Sequence, residues 1–193
     1  MKYMKRLFVF SLAVFAACVL CGSSHRLNGK DAPKGGEAVF QTDQNDRTAG
    51  KQSVIGKKFL DLEEADRNGD LHKLSEYVGK GKWVLVDFWA SWCGPCKVEM
   101  PNVVAAYKKY HDKGFDVIGL SFDRTKEDWV QAIKEWDMPW IQLSDLKQWE
   151  TVAAGVYSVT GIPDNLLVDP QGIIVARGLY GQDLVNKLTG IFQ

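Results

Sequence analysis

Cys93 and Cys96, separated by Gly94-Pro95, are the residues whose type and spacing most directly carry chemistry in this 193-residue chain. Two thiols so placed can pair with each other, and cycling between dithiol and disulfide moves two electrons without a cofactor. The reactive species is the thiolate, so the chemistry depends on lowering the pKa of one cysteine. The pair follows the apolar run Val84-Leu85-Val86-Asp87-Phe88-Trp89. A strand ending there, with a helix starting at the motif, sets Cys93 at a helix N-terminus, where free N–H groups and the macrodipole favour negative charge. Cys93 is therefore expected as the exposed nucleophile, and Cys96, one turn inward, as the resolving thiol. Two other readings compete: a structural bridge and half of a zinc site. A two-residue loop gains little closure entropy from bridging. Zinc needs two further ligands, whereas Cys18 and Cys21 lie in an N-terminal apolar segment and His25, His72 and His111 are scattered. No metal and no cofactor beyond the cysteine pair is expected.

The elements that must position this pair read as alternating strands and helices. Trp83–Trp89 is apolar on both faces, as a buried parallel strand is. A helix from about Cys93 to Tyr110 follows, with Met100, Val103, Val104 and Tyr107 on one face and Pro101 as a kink point. Next come a strand over 115–122, a helix over 126–136 capped by Thr125, a short strand over 140–143 and a helix over 148–154. Strands at 166–169 and 173–176 are joined by Pro170-Gln171-Gly172, and a closing helix spans 182–192. Ahead of this core, a strand is predicted over Lys57–Leu62. A small hairpin is expected around Asn68-Gly69 with Leu71-His72-Lys73, then a helical turn over 74–78 capped by Ser75. This order implies an α/β fold with a mixed sheet.

The first 52 residues read differently. Lys5-Arg6 followed by apolar Leu7–Ala17 is a signal pattern, too short for a transmembrane helix. Residues 1–21 are taken as a signal peptide of lipoprotein type. Small residues precede Cys18, the expected lipidated residue; Cys21, or cleavage without lipid, is the alternative. Residues 22–52, rich in Gly, Ser, Lys, Asp, Asn and Gln, read as a flexible linker, and 53–193 as the folded domain. The 46% apolar content, with seven Trp and nine Phe, suffices for a core. A formal charge of zero gives no sign of a nucleic-acid partner. An exported, anchored protein would work outside the cytoplasm, in the periplasm, where disulfide chemistry operates.

Val86–Pro101, VDFWASWCGPCKVEMP, resembles the active-site segment of thioredoxins, and within that superfamily it is most similar to the membrane-anchored TlpA/ResA-like thiol-disulfide oxidoreductases. The resemblance covers about residues 53–193. It implies a thioredoxin-like three-layer fold, a mixed central sheet flanked by helices with an N-terminal β-hairpin added. Gly94-Pro95 is the pair that reducing thioredoxins carry, and it points to a reductase. Asp87 matches the buried Asp that helps deprotonate the resolving cysteine through water; a purely structural hydrogen bond is the competing role. Thioredoxins pair that Asp with a Lys on the next strand, and here the aligned position is Gly119. Glu99 matches a Glu that tunes thiol acidity or contacts substrate, against the alternative of an ordinary solvated carboxylate. Gly161-Ile162-Pro163 matches the loop whose proline is cis, facing the cysteines and leaving backbone for an extended substrate. Asp164-Asn165 departs from the usual Thr or Ser, a change expected to alter substrate preference. Trp92 borders the site and shields the disulfide, or mainly packs; Trp89, Trp136, Trp140 and Trp149 read as core or groove residues.

The expected activity is thus an extracytoplasmic thiol-disulfide oxidoreductase that reduces cysteine pairs in exported proteins, apocytochromes among them, with electrons from a membrane thiol-disulfide donor. An oxidase or isomerase would use the same residues with opposite electron flow. A peroxidase would need a Pro-x-x-x-Thr-x-x-Cys setting, which is lacking. A copper chaperone would carry Cys-x-x-x-Cys with a distant His, and no His falls near Ile162-Pro163.

Overall fold

A computed structural model describes residues 54–193; the signal and linker segments, with Cys18 and Cys21, lie outside the described residues. The strands are β1 (Glu63–Asp66), β2 (Leu71–Lys73), β3 (Trp83–Trp89), β4 (Phe115–Ser121), β5 (Ile141–Ser144), β6 (Asp164–Val168) and β7 (Ile174–Arg177). The helices are α1 (Gly94–Tyr110), α2 (Lys126–Glu135), α3 (Val152–Tyr157) and α4 (Gly181–Phe192). One seven-stranded sheet runs β2-β1-β5-β4-β3-β6-β7. β3, β4 and β5 are parallel, and the outer strands pair antiparallel. The expected mixed sheet flanked by helices, with a hairpin added at its N-terminal edge, is the architecture observed. Among the described residues no helix is long and apolar enough to cross a membrane.

β3 sits in the middle because both its faces are apolar, and all but its first residue are buried. Alternation along the strand sends Phe88 to one face, where it packs on Tyr157 of α3 at 5.6 Å between ring centroids. Trp89 goes to the other, against Trp136 at the end of α2, at 5.2 Å. Each such fully buried side chain contributes about 1.5–3 kcal/mol. α1 continues through Pro101. At its C-terminal end Tyr110 stacks on Phe192 of α4, and the Tyr110 hydroxyl lies 2.9 Å from Thr189 Oγ1.

Three local expectations are corrected. Lys57–Leu62 is not a strand: only Lys58 forms an isolated bridge, to Ile173. The carbonyls of Leu60 and Leu62 are taken by the Tyr157 hydroxyl and the Leu74 amide, which draws the chain off the sheet edge. The strand of the hairpin is instead Glu63–Asp66, with Asn68-Gly69 in the turn as predicted. Ser75 caps nothing. Its N–H and hydroxyl donate to Asp61, and the 3₁₀ turn Leu74–Glu76 is closed by Glu76 accepting from the Lys73 amide. The helix read over 148–154 is broken. A 3₁₀ turn, Gln148–Glu150, stops at Thr151, whose backbone is extended (ψ 144°) and whose hydroxyl donates to buried Glu64. Thr151 then caps α3, the local bonding that lets Thr interrupt a helix.

Candidate active site

Cys93 and Cys96 are joined by a disulfide at the start of α1. Cys93 is the N-cap in extended conformation, and its Sγ accepts a 3.1 Å hydrogen bond from the Cys96 amide. That amide is one of the unpaired donors every helix start carries, so the sulfur already occupies an anion-stabilising position. Both sulfur residues are buried: Cys93 is 4% exposed and Cys96 1%. The expectation of an exposed Cys93 is corrected: it is buried, flanked by exposed Trp92, Gly94 and Pro95.

The turn before the motif is held by β4 and the residues after it. Buried Asp123 accepts the Ser91 amide (3.2 Å), the Ser91 hydroxyl (2.5 Å) and the Ser121 hydroxyl (2.7 Å). The Phe122 amide donates to the Trp89 carbonyl at 2.8 Å, and Trp92 Nε1 donates to the Phe122 carbonyl at 3.1 Å. Asp123 was not singled out from the sequence. Only the fold shows that it faces Ser91, thirty-two residues earlier.

Asp87, Cys96 and Pro163 line one tight crevice with Glu99. Asp87 is buried and its Oδ2 has no hydrogen-bond partner among the described residues. Burial pushes its carboxyl up to about 7, helped by the nearby Glu99 and Asp164 carboxylates. Parallel pairing sets Asp87 opposite Gly119, so the lysine of thioredoxins has no counterpart there. A Cβ at Gly119 would overlap the Gln142 carboxamide and come 2.8 Å from Trp89 Nε1. Those two side chains, hydrogen-bonded at 2.9 Å, fill the space. The field at Asp87 is therefore set by carboxylates, and among the described residues no cation takes the lysine's place.

Glu99 is neither an unattached surface carboxylate nor free to swing. Its Oε1 accepts the Gly181 amide at 2.8 Å and its Oε2 the Asn102 side chain at 3.1 Å. It thereby caps the N-terminus of α4 from α1, a favourable place for negative charge.

The Ile162-Pro163 peptide is cis, as expected. Its loop is anchored by Tyr180, whose hydroxyl donates to the Pro163 carbonyl at 2.8 Å. Tyr180 and Gly181 thus bind the two halves of the site from adjacent positions. Asp164 and Asn165, read as a change in substrate preference, are buried and bonded within the protein. Asp164 is fully buried and accepts Arg177 Nε at 3.0 Å and Nη2 at 2.7 Å. Asn165 exchanges two hydrogen bonds with the Leu179 backbone, at 2.8 and 2.9 Å. Trp149, read as a core or groove residue, is 46% exposed and sits beside Trp92, with ring centroids 6.2 Å apart. Among the described residues no group of three or more His, Cys, Asp or Glu side chains is placed to hold a metal ion.

A dithiol pair at a helix N-terminus, beside a buried carboxylate and a cis proline, can exchange disulfides. Known proteins with this architecture do so. Residues 55–177 match the AhpC/TSA family. The chain is 32% identical to the thiol-disulfide oxidoreductase ResA of Bacillus cereus over 139 residues, 72% of this chain and 77% of that protein. It is 27% identical to the thiol:disulfide interchange protein HelX of Rhodobacter capsulatus, across 79% of this chain and 84% of that one. Its fold matches the crystal structure of the thioredoxin domain of a thiol-disulfide oxidoreductase from Bacteroides vulgatus, with a TM-score of 0.66 and 37% identity. That match spans 72% of this chain and 98% of that domain. The chain accordingly belongs to the AhpC/TSA family, among its TlpA/ResA-like thiol-disulfide oxidoreductases, with Cys93–Cys96 as its redox-active pair.

Proposed function

We propose that this protein works outside the cytoplasm as a reductase of disulfides in exported proteins, apocytochromes among them. The carrying observation is the Cys93–Cys96 disulfide with Cys93 Sγ bonded to the Cys96 amide at the start of α1. In the reduced protein the Cys93 thiolate attacks one sulfur of a substrate disulfide, and the other substrate sulfur leaves as a thiolate. The Cys96 proton passes to Asp87, whose carboxyl titrates near the working pH. The Cys96 thiolate then attacks Cys93 Sγ. The second substrate sulfur leaves, and the Cys93–Cys96 disulfide is restored. Two electrons reach the substrate, whose two thiolates take up the proton left on Asp87 and one from water; a membrane thiol-disulfide donor returns two electrons to the pair.

In this reading Trp92, Gly94, Pro95 and the Ile162-Pro163 loop receive the substrate segment, and Glu99 acts by positioning α4 and biasing Asp87. Residues 1–21 direct export, Cys18 carries the lipid anchor, and 22–52 tether the domain 53–193 to the membrane. The mass of the mature N-terminus tests the anchor. The test of the function is the reduction potential of Cys93–Cys96, read in the full-length protein by mass spectrometry of the peptide carrying both cysteines after equilibration in glutathione buffers. A value below roughly −220 mV, toward thioredoxin, is expected of a reductase; one above roughly −150 mV, toward strong oxidants, overturns it in favour of disulfide formation or isomerisation.

A further inference from the structure

We propose that Trp149 is a substrate-binding residue. With Trp92 it forms an aromatic platform that takes a bulky apolar side chain lying next to the cysteine under attack. The inference rests on the oxidoreductase reading above and names the class of disulfide it prefers: one flanked by aromatic or large aliphatic residues.

Trp92 precedes Cys93 directly, so its exposed side chain borders the reactive sulfur. Its ring is 48% exposed although its Nε1 is tied to the Phe122 carbonyl. Trp149 is as exposed, and its inner edge meets Phe122 in a T-shaped contact at 5.2 Å. Two large rings are thus held from beneath while their outer faces stay in water. Leaving that much apolar surface exposed beside a reactive sulfur costs free energy unless a partner covers it.

The segment presenting Trp149 is built to hold it there. Leu146 (φ 57°) and Gln148 (φ 52°) are both in the left-handed region, unfavourable for side chains with a Cβ. Such conformations persist where surrounding contacts over-determine them, and they cluster at binding sites. The contacts are present: the Leu146 amide donates to Ser144 Oγ at 3.1 Å, the Val152 amide to Asp145 Oδ2 at 3.1 Å, and Thr151 Oγ1 to Glu64 at 3.0 Å. The exposed charges nearest in sequence, Lys147 and Glu150, are of opposite sign. Selection there follows apolar area more than charge.

The test uses the reduced full-length protein and two disulfide-bonded peptides of equal length and charge, one with Phe beside each cysteine and one with Ser. The wild type is expected to favour the Phe peptide about tenfold in kcat/KM, carried in KM, the factor an aromatic contact supplies. Trp149→Ala loses most of that preference, and Trp149→Phe restores it. Trp149→Leu, which keeps apolar cover over Phe122, shows the same loss and serves if the alanine variant fails to fold. All variants react with cystamine, a small disulfide, at the wild-type rate. A wild type without preference, a Trp149→Ala protein that keeps it, or a loss shared equally by cystamine would each overturn the assignment. A wild type that reduces neither peptide nor cystamine would instead overturn the oxidoreductase reading on which it rests.

Discussion

Two buried carboxylates in this molecule are pushed to about 7, one in the redox site and one in the added hairpin. Burial is the main cause for both, yet their surroundings differ. Glu64 in β1 accepts the Thr151 hydroxyl and the Ala153 amide, and Lys147 partly offsets the repulsion from Asp145. It stitches the hairpin to the start of α3. Among the described residues Asp87 has no compensating cation beside it; like Glu64 it keeps one oxygen without a hydrogen-bond partner, and its charged neighbours are Glu99 and Asp164. A buried carboxylate that makes hydrogen bonds to a neighbouring element holds structure. The one that lines the crevice with Cys96 is the one that takes a proton in the proposed reaction. Asp164 marks a third solution: equally buried, it is neutralised by Arg177.

The sharpest way to break this comparison is to remove the cation paired with Asp164. Arg177→Met should cost about 3–5 kcal/mol in denaturant unfolding, because it breaks a buried ion pair; a loss under about 1 kcal/mol would mean that the pair contributes little to the fold. Asp87→Asn comes next. The folded-state pKa of Asp87 is raised, so the native state binds its proton more tightly than the unfolded chain. Stability from this group is present at low pH and is lost as pH rises from its ordinary 3.8 to about 7. Asparagine should therefore stabilise the protein by up to about 4 kcal/mol at pH 8 and hardly at all at pH 3. It should also slow disulfide exchange by about 10²-fold and flatten its rise through pH 7. Urea melts at several pH values and single-turnover kinetics read both.

Glu64→Gln sharpens the contrast from the other side. It should likewise reduce the loss of stability between pH 4.5 and about 7, while leaving the exchange rate within about twofold, since nothing reactive lies beside it. An exchange defect as large as that of Asp87→Asn would erase the distinction. The smallest effect is expected of Tyr180→Phe, which deletes only the bond to the Pro163 carbonyl. About 1 kcal/mol of stability should be lost, with KM for a peptide disulfide raised and the reaction with cystamine unchanged.

Much of this was legible in the chain. Cys93 and Cys96 are marked by their spacing after an apolar strand, Asp87 as a carboxylate inside that strand, and Pro163 by the resemblance to thioredoxins. β3 and β4 could be drawn to within a residue because continuous apolar runs leave a buried parallel strand little choice. Where polar side chains decide, the reading failed. Lys57–Leu62 looked like a strand, but its carbonyls bond to Tyr157 and Leu74. The stretch 148–154 looked like one helix, and Thr151 split it by reaching Glu64, eighty-seven residues away. Asp164-Asn165 drew notice only as a departure from the usual Thr or Ser, and their internal bonds to Arg177 and Leu179 could not be read from the chain.

The sequence by itself determined the redox pair, its place at a helix start and the mixed sheet beneath it. These follow from local periodicity, from capping geometry and from the two-residue spacing of the thiols. Only the tertiary structure decided what surrounds that pair: Asp123 fastening Ser91, Tyr180 and Gly181 joining the proline loop to Glu99, Trp149 set beside Trp92, and Asp87 left without a cation. Each of these depends on a hydrogen bond, ring contact or charge between residues that lie from about a dozen to about eighty positions apart. Such polar and aromatic partners leave no periodic trace in the chain, because their choice is made by distance after the core has closed.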